Sequence, residues 1–368
     1  MTDREAYIAF NLTDNIGSVG VARLVQAEGS VVAAWDKFPR KQAWNGEAVD
    51  LRAEEKRARA ANVTLVTPAD PEYPPQLLAA SGHPLTLYVR GDVKALSRPA
   101  IAIVGTRRAS PYGLDQAFRF GRDLADNDWA IVSGLALGID AEAHRGALKA
   151  DKGVAIGVIG SALNCFYPKE NLPLAREIVE RGGAVVSEFP FDRQPDQKTF
   201  PQRNHVVAGL SRGVLAVEAP SKSGTMITCD LAADLGRTVM AIPGRVDSRT
   251  SAGCLQLIRD GAVLVRSPGD VEFEMGELLK KERAARAASR PRKAPGPDSQ
   301  DDALRDVYGS ADEFKVLHEL TCEGVTLDYL IRKTGLGAAK INTLTITLLM
   351  KGLVRFLPGN RIALPREA

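Results

Sequence analysis

The stretch Phe200 to Gly244, FPQRNHVVAGLSRGVLAVEAPSKSGTMITCDLAADLGRTVMAIPG, carries the pattern that decides the fold. An apolar run at 214–217 ends in Glu218-Ala219, and a small-residue loop, Lys222-Ser223-Gly224-Thr225, follows. An amphipathic stretch to Leu235 then leads into a second apolar run at 239–242. Strand, glycine-containing loop, helix and strand make a βαβ unit of a parallel sheet. The loop opens a helix whose first N–H groups lack intrahelical partners, and Lys222 adds positive charge beside them. Such a place suits an anionic oxygen, most simply that of a phosphate. The preceding Phe200-Pro201-Gln202-Arg203-Asn204 reads as a basic, aromatic-led lead-in loop.

Upstream the same alternation repeats. Residues 99–104 (PAIAIV) are continuously apolar, as a strand buried on both faces requires. That run ends in Gly105-Thr106-Arg107-Arg108-Ala109-Ser110-Pro111, where Ser110 reads as N-cap and Pro111 as the first residue of a helix to about 126. A strand at 130–132 ends in Ser133-Gly134-Leu135-Ala136-Leu137-Gly138-Ile139-Asp140, with Asp140 the expected cap of a helix to Leu148. Further strands fit 85–89, 154–159 and 184–187, a helix runs up to Arg181, and 255–265 supplies a last helix and an edge strand. The result is an α/β class domain over 79–270, a doubly wound and mostly parallel sheet. Its ligands belong in the loops at the carboxyl ends of the strands.

The flanks differ in composition. Residues 1–78 read as a small helical domain, with an apolar stretch at 6–12 and Gly17-Ser18-Val19-Gly20 between two short helices. The Gly-x-x-Gly resembles helix-hairpin-helix and sterile-alpha-motif-like modules. A small bundle packing on its neighbour accounts for the same residues and is preferred. Residues 271–310 form a basic, proline-containing linker through Lys280-Lys281 and Arg290-Pro291-Arg292-Lys293, read as a solvated tether. Residues 311–368 show helices at 313–322, 326–333 and 338–351 and a strand–turn–strand at 354–364, the pattern of a winged helix. Eight Lys/Arg stand there against six Asp/Glu, and the third helix offers only Lys340 and Lys351. Strong DNA readers cluster more positive charge, so a protein contact or a weak auxiliary DNA role is expected.

The totals exclude several classes. At 368 residues, 45% apolar and 25% charged, the chain is a globular protein of two or three domains. A net charge of +3 provides no global basic field, so attraction to an anionic partner must be local. Cys165, Cys229, Cys254 and Cys322 are scattered, which argues against a zinc site or disulfide framework, and the four histidines form no metal pair. The polar N-terminus and the lack of any run of ~18 apolar residues point to a cytoplasmic protein with no membrane partner. No dinucleotide fingerprint follows the first parallel strand, and Lys222-Ser223 lacks the glycines of a Walker loop, so no cofactor is expected. His144 and His205 stand in no nucleophile context and read as packing or hydrogen-bonding residues. What remains is a set of cations on separate loops: Arg107, Arg108, Lys169, Lys198, Arg203 and Lys222. Converging at one edge of a sheet, they would meet several phosphates, hence a polymer. Phe166, Tyr167 and Phe200 adjoin those loops and could stack bases, which single strands expose. Core packing fits each aromatic equally well.

Five motifs in order carry a family resemblance. They are Gly105-Thr106-Arg107-Arg108-Ala109-Ser110-x-Tyr112-Gly113; Ser133-Gly134-Leu135-Ala136-Leu137-Gly138-Ile139-Asp140-Ala141-x-Ala143-His144; Tyr167-Pro168-Lys169-x-Asn171; Phe200-Pro201-Gln202-Arg203-Asn204; and Lys222-Ser223-Gly224-Thr225-x-Ile227-Thr228. Together they resemble the DNA-processing protein A (DprA/Smf) family, densely over 80–268. The resemblance implies an extended Rossmann fold that binds single-stranded DNA, forms a homodimer and helps load a RecA-type recombinase in natural transformation. It places phosphate contacts at Arg107, Lys169, Arg203 and Asn204, with Ser223-Gly224-Thr225 nearby and Lys198 in a region that is often basic. Gly105, Thr106, Arg108, Ser110, Gly134, Gly138, Phe200 and Lys222 complete the expected surface. Two departures stand out: Arg203-Asn204-His205 replaces the usual Arg-Asn-Arg, and Ala136-Leu137-Gly138 the usual Ala-Arg-Gly. Each removes a cation.

The competing class is a nucleotide-cleaving phosphoribohydrolase, which uses Pro-Gly-Gly-x-Gly-Thr-x-x-Glu at a similar strand–loop–helix. Here the stretch is Pro220-Ser221-Lys222-Ser223-Gly224-Thr225-Met226-Ile227, with Thr228 where the catalytic acid would stand, which disfavours hydrolysis.

Overall fold

In a computed structural model, the described residues are 1–14, 16–39, 42–276, 311–320, 324–350, 354–357 and 361–363. Most of the expected linker, from 277 to 310, lies outside them, as do Cys322, Lys351 and the 358–360 turn. Met1–Glu282 is one compact unit and Arg283–Ala368 a second.

In the first unit, strands β1 (Thr64–Val66), β2 (Leu87–Gly91), β3 (Ala100–Val104), β4 (Ala130–Ser133), β5 (Val154–Val158), β6 (Ala184–Ser187), β7 (Gly213–Ala216), β8 (Thr238–Ala241) and β9 (Val263–Leu264) form one sheet among the described residues. Its order is β1-β2-β6-β5-β4-β3-β7-β8-β9. From β6 to β9 every pairing is parallel, whereas β1 and β2 join antiparallel at one side. The apolar runs exist because both faces are covered. Successive residues of β3 point to opposite faces: Ile101 and Ile103 enter one core, while Ala100, Ala102 and Val104 enter the other.

Helices α1 (Asp3–Leu12), α2 (Ser18–Glu28), α3 (Val31–Lys37) and α4 (Leu51–Ala60) come before β1. α5 (Pro75–Leu78), α6 (Pro111–Asp126), α7 (Ile139–Ala147) and α8 (Leu172–Glu180) follow, then α9 (Thr199–Leu210), α10 (Gly224–Asp234) and α11 (Ala252–Arg259). On one face α6, α7 and α8 pack with Ile8 and Leu12 of α1 and Ala58 of α4. On the other lie α5, α9, α10 and α11. The N-terminal helices also hold a core of their own, where Phe10 meets Trp35 edge-on at a centroid distance of 5.0 Å.

Two local expectations are corrected. Phe200 to Asn204 is not a lead-in loop but the first turns of α9; Pro201 fits because the opening turn needs no N–H from it. Asp140 does not cap α7. The N-cap is Gly138, and Asp140 sits inside the helix, its carboxylate accepting from the N–H of Gly134 (3.1 Å) and Ala136 (3.4 Å).

The second unit holds α12 (Ala311–His318), β10 (Val325–Thr326), α13 (Leu327–Thr334), α14 (Ala338–Met350), β11 (Arg355–Leu357) and β12 (Arg361–Ala363). Three helices and a sheet in the order β10-β12-β11 enclose Val316, Leu330, Ile341, Leu348 and Ile362, and this is a winged helix. The short β10 was not expected. Lys340, one of the two cations anticipated on the third helix, is ion-paired to Asp312.

Candidate functional site

The sheet order reverses beside β3. From β3 the chain steps outward through β4, β5 and β6, then returns to lay β7 on the other side of β3. The loops after β3 and β7 therefore diverge and leave a crevice at the carboxyl ends of the strands. A cavity of about 600 Å³ lies there.

Of the expected residues, Gly105, Thr106, Arg107, Arg108, Gly134, Phe200, Arg203, Asn204, Ser223, Gly224 and Thr225 line this cavity. A shallow cleft continues from it past Leu137, Tyr167 and Pro168. The Arg107 guanidinium carbon lies 5.2 Å from the Phe200 ring centroid, and Phe200 lies 6.0 Å from the Tyr167 ring. An arginine over an aromatic face, exposed beside a cavity, is a ready platform for a base with its phosphate. Ser223 is the N-cap of α10, and its hydroxyl makes no capping bond. Ser223, Gly224 and Thr225 line the cavity, so it borders the first turn of that helix, whose amides have no intrahelical partner.

Beneath the wall lie two buried ionisable groups, Arg203 and Asp140. Arg203, 6% exposed, donates from Nη1 to the carbonyls of Gly134 and Val158 and from Nε to Asn204 Oδ1 at 3.2 Å. Asn204 in turn donates to the Gly224 carbonyl at 3.3 Å, tying α9 to the start of α10. Burial pushes the Arg203 pKa down to about 10 and the Asp140 carboxyl up, each opposed by the other's charge. Arg203 stays charged at neutral pH. Gly134 separates the two: a Cβ there would lie 2.6 Å from both the Arg203 guanidinium carbon and an Asp140 oxygen. Gly138, at φ +79°, is held with its Cα against the Thr106 carbonyl, so the loop carrying Arg107 rests on it. His144 is fully buried, and burial pushes it down to about 4, so it is neutral.

Other expected residues stand outside the cavity. Ser110 caps α6, accepting from the Gly113 N–H at 3.1 Å and donating to Glu218 at 2.7 Å. Lys169 is exposed beside the cleft, on a turn fixed by Asn171, whose side chain donates to the Leu135 and Ala136 carbonyls at 2.9 and 3.0 Å. Lys198 and Lys222 are exposed at the starts of α9 and of the loop before α10. Arg203 lies on a helix, not on a loop, and its charge is used internally. Phe166 packs against the main core, away from the cavity. His205 turns from the cavity to contact the Ser81 carbonyl at 2.9 Å, and burial lowers its pKa. Sequence reasoning missed Arg249 and Thr250, which also line the cavity. They follow β8, and the rule that ligands meet the carboxyl ends of parallel strands could have found them.

Thr228 lines the cavity where a catalytic acid was sought, its hydroxyl donating to the Gly224 carbonyl at 3.1 Å. Asp140 is the carboxylate in the lining, and it accepts from two backbone amides while feeling the charge of Arg203. Among the described residues no cluster could hold a metal ion, and no helix is long and apolar enough to cross a membrane.

Comparison with known proteins gives a consistent result. Residues 64–275 match the family model described as DNA recombination-mediator protein A, and 289–360 match the DprA winged helix domain. Protein Smf of Escherichia coli (strain K12) is 37% identical over 302 residues, 81% of this chain and 77% of that protein. DNA processing protein DprA of Streptococcus pneumoniae is 42% identical over 204 residues, 55% of this chain and 71% of that one. Its crystal structure covers 74% of this chain and 98% of its own, with a TM-score of 0.62 at 31% identity. DNA processing protein A from Helicobacter pylori, solved for its single-stranded DNA binding mode, covers 59% of this chain and 97% of its own (TM-score 0.52, 32% identity).

Proposed function

Because the chain belongs to the DNA recombination-mediator protein A family, we propose that it binds single-stranded DNA in the crevice beside β3 and β7. One observation carries this reading. Arg107 and Arg108, whose guanidinium groups make no hydrogen bond or ion pair to the described residues, flank Phe200 and the open amides of α10 in one cavity. Unpaired guanidinium groups and helix amides attract phosphate oxygens, and an aromatic ring accepts a base only from an unpaired strand.

In this reading Arg107 and Arg108 take phosphates, Phe200 and Tyr167 stack bases, and Ser223-Gly224-Thr225 offers amides to a further phosphate. Lys169, Lys198 and Lys222 extend the positive rim along the strand. Asn204 and Arg203 act chiefly from beneath: Arg203 holds the Gly134 loop, and its donors toward the carbonyls leave little for DNA. The protein binds rather than cleaves. We infer further that it presents the strand to a RecA-type recombinase in transformation, as a homodimer through the sheet domain. We place that contact on the segment 254–264, where Leu264 on edge strand β9 is 44% exposed.

The test is charge reversal at two places, Arg107→Glu with Lys169→Glu, in the full chain. Binding to an oligo-dT strand should vanish in a gel shift while the circular dichroism spectrum is preserved. Undiminished affinity would remove the site assignment.

A further inference from the structure

We propose that Arg249, on the loop after β8, is a further phosphate-binding cation of this cavity, and that the buried carboxylate of Glu218 positions it. The inference rests on the cavity being the single-strand site. Arg107 and Arg108 approach from the loop after β3, whereas Arg249 arrives from the other side of β7, since the sheet runs β3-β7-β8. A strand lying in the crevice would therefore be held from both walls.

The loop itself distinguishes its two nearby cations. Arg245 is neutralised by a two-point contact with Asp247, Nε to Oδ1 at 2.9 Å and Nη2 to Oδ2 at 2.7 Å. Arg249 is exposed and makes no hydrogen bond or ion pair to the described residues, yet it lines the cavity. An uncompensated cation at a cavity wall repels its neighbours of like sign unless an anion arrives, so its charge is available to a ligand.

Its placement is fixed by the next residue. Thr250 Oγ1 donates to Glu218 Oε1 at 3.2 Å and takes part in a 3.0 Å contact with Ser248 Oγ. Glu218, 4% exposed, also accepts from the Ser110 N–H (2.8 Å) and the Ser110 hydroxyl (2.7 Å). One buried carboxylate thus ties the end of the Arg107 loop to the Arg249 loop. Both cation-bearing walls share this anchor, and the Glu218 charge is consumed by three donors rather than turned on the ligand.

The experiment titrates fluorescein-labelled oligo-dT with the full chain at several NaCl concentrations and compares five variants. Arg249→Ala should weaken binding roughly tenfold at low salt, and the slope of log affinity against log salt should shrink by about 0.7, the loss of one phosphate contact to a single strand. Arg245→Ala, on the same loop, should match the parent chain. Thr250→Val should reduce the slope in the same direction, because the cation drifts; loss of a neutral hydroxyl contact alone would leave the slope unchanged. Thr250→Ser should restore it. Affinity and slope unchanged in Arg249→Ala, while Arg107→Glu abolishes binding, would overturn the role of Arg249 and leave the site standing. An unchanged slope in Thr250→Val would overturn the positioning by Glu218. Binding that survives Arg107→Glu would show that the site itself is wrong, and the inference would fall with it.

Discussion

At the scale of single residues, the site depends on backbone approach as much as on the side chains that face a ligand. Gly138 is the clearest case, since its φ of +79° is unfavourable for other residues and a Cβ would stand 2.5 Å from the Thr106 carbonyl oxygen. Backbone cannot yield there as a flexible side-chain end could. Gly138→Ala should therefore cost about 2 kcal/mol or more in urea unfolding. It should also loosen the Arg107 loop, so that affinity for oligo-dT falls. A fully stable Gly138→Ala chain with parent affinity would refute this role. Arg203 shows what a sequence hides at this scale. A charged residue is read as surface by default, and nothing in Phe200-Pro201-Gln202-Arg203-Asn204 announces that two carbonyls and Asp140 surround it. His205, expected as the loss of a cation, directs its ring to the Ser81 carbonyl.

Elements were more legible than residues, for a physical reason. Parallel strands covered on both faces must be apolar throughout, so AIAIV, VAIGV and AVVS announce themselves. α6 was marked by Ser110 and Pro111. α9 was not, because Pro201 and the polar Gln202-Arg203-Asn204 imitate a loop. α3 was overlooked as a brief VVAAWDK, although Trp35 anchors it on Phe10. The junction of α1 with β6 supports a pH prediction. Asn11 donates to the Glu188 carbonyl at 3.2 Å, while Glu188 Oε1 is buried without a hydrogen-bond partner, and burial pushes this carboxyl from 4.5 up to about 7. The folded-state pKa lies above the unfolded one, so this contribution to stability is fully present below about pH 4.5 and is lost as pH rises through about 7. Glu188→Gln should remove that loss. The variant's advantage over the parent should grow from near zero at low pH to about 3 kcal/mol above pH 8. Tryptophan fluorescence reads it cleanly, because Trp35, Trp44 and Trp129 all belong to the first unit. Parallel stability curves for the two proteins would contradict the assignment.

At the scale of the whole molecule, the chain comprises two compact units. The sheet unit carries the crevice, whose position follows from strand order alone, and in the winged helix one of the two cations expected on the third helix is held in the Lys340–Asp312 pair. That pairing fits a protein-contact role for the second unit better than DNA reading. The sheet class and the winged helix were evident from apolar spacing. The crevice was evident only in part, because Arg249 reaches it from a loop with no recognisable motif. In the proposed complex a single strand lies in that crevice against Phe200. Ultraviolet crosslinking of the full chain to a short deoxythymidine oligomer, with peptide mapping by mass spectrometry, tests it most directly. Crosslinks at Phe200 and Tyr167, suppressed by Arg107→Glu, are the expected result; crosslinks confined to residues 311–363 would contradict it.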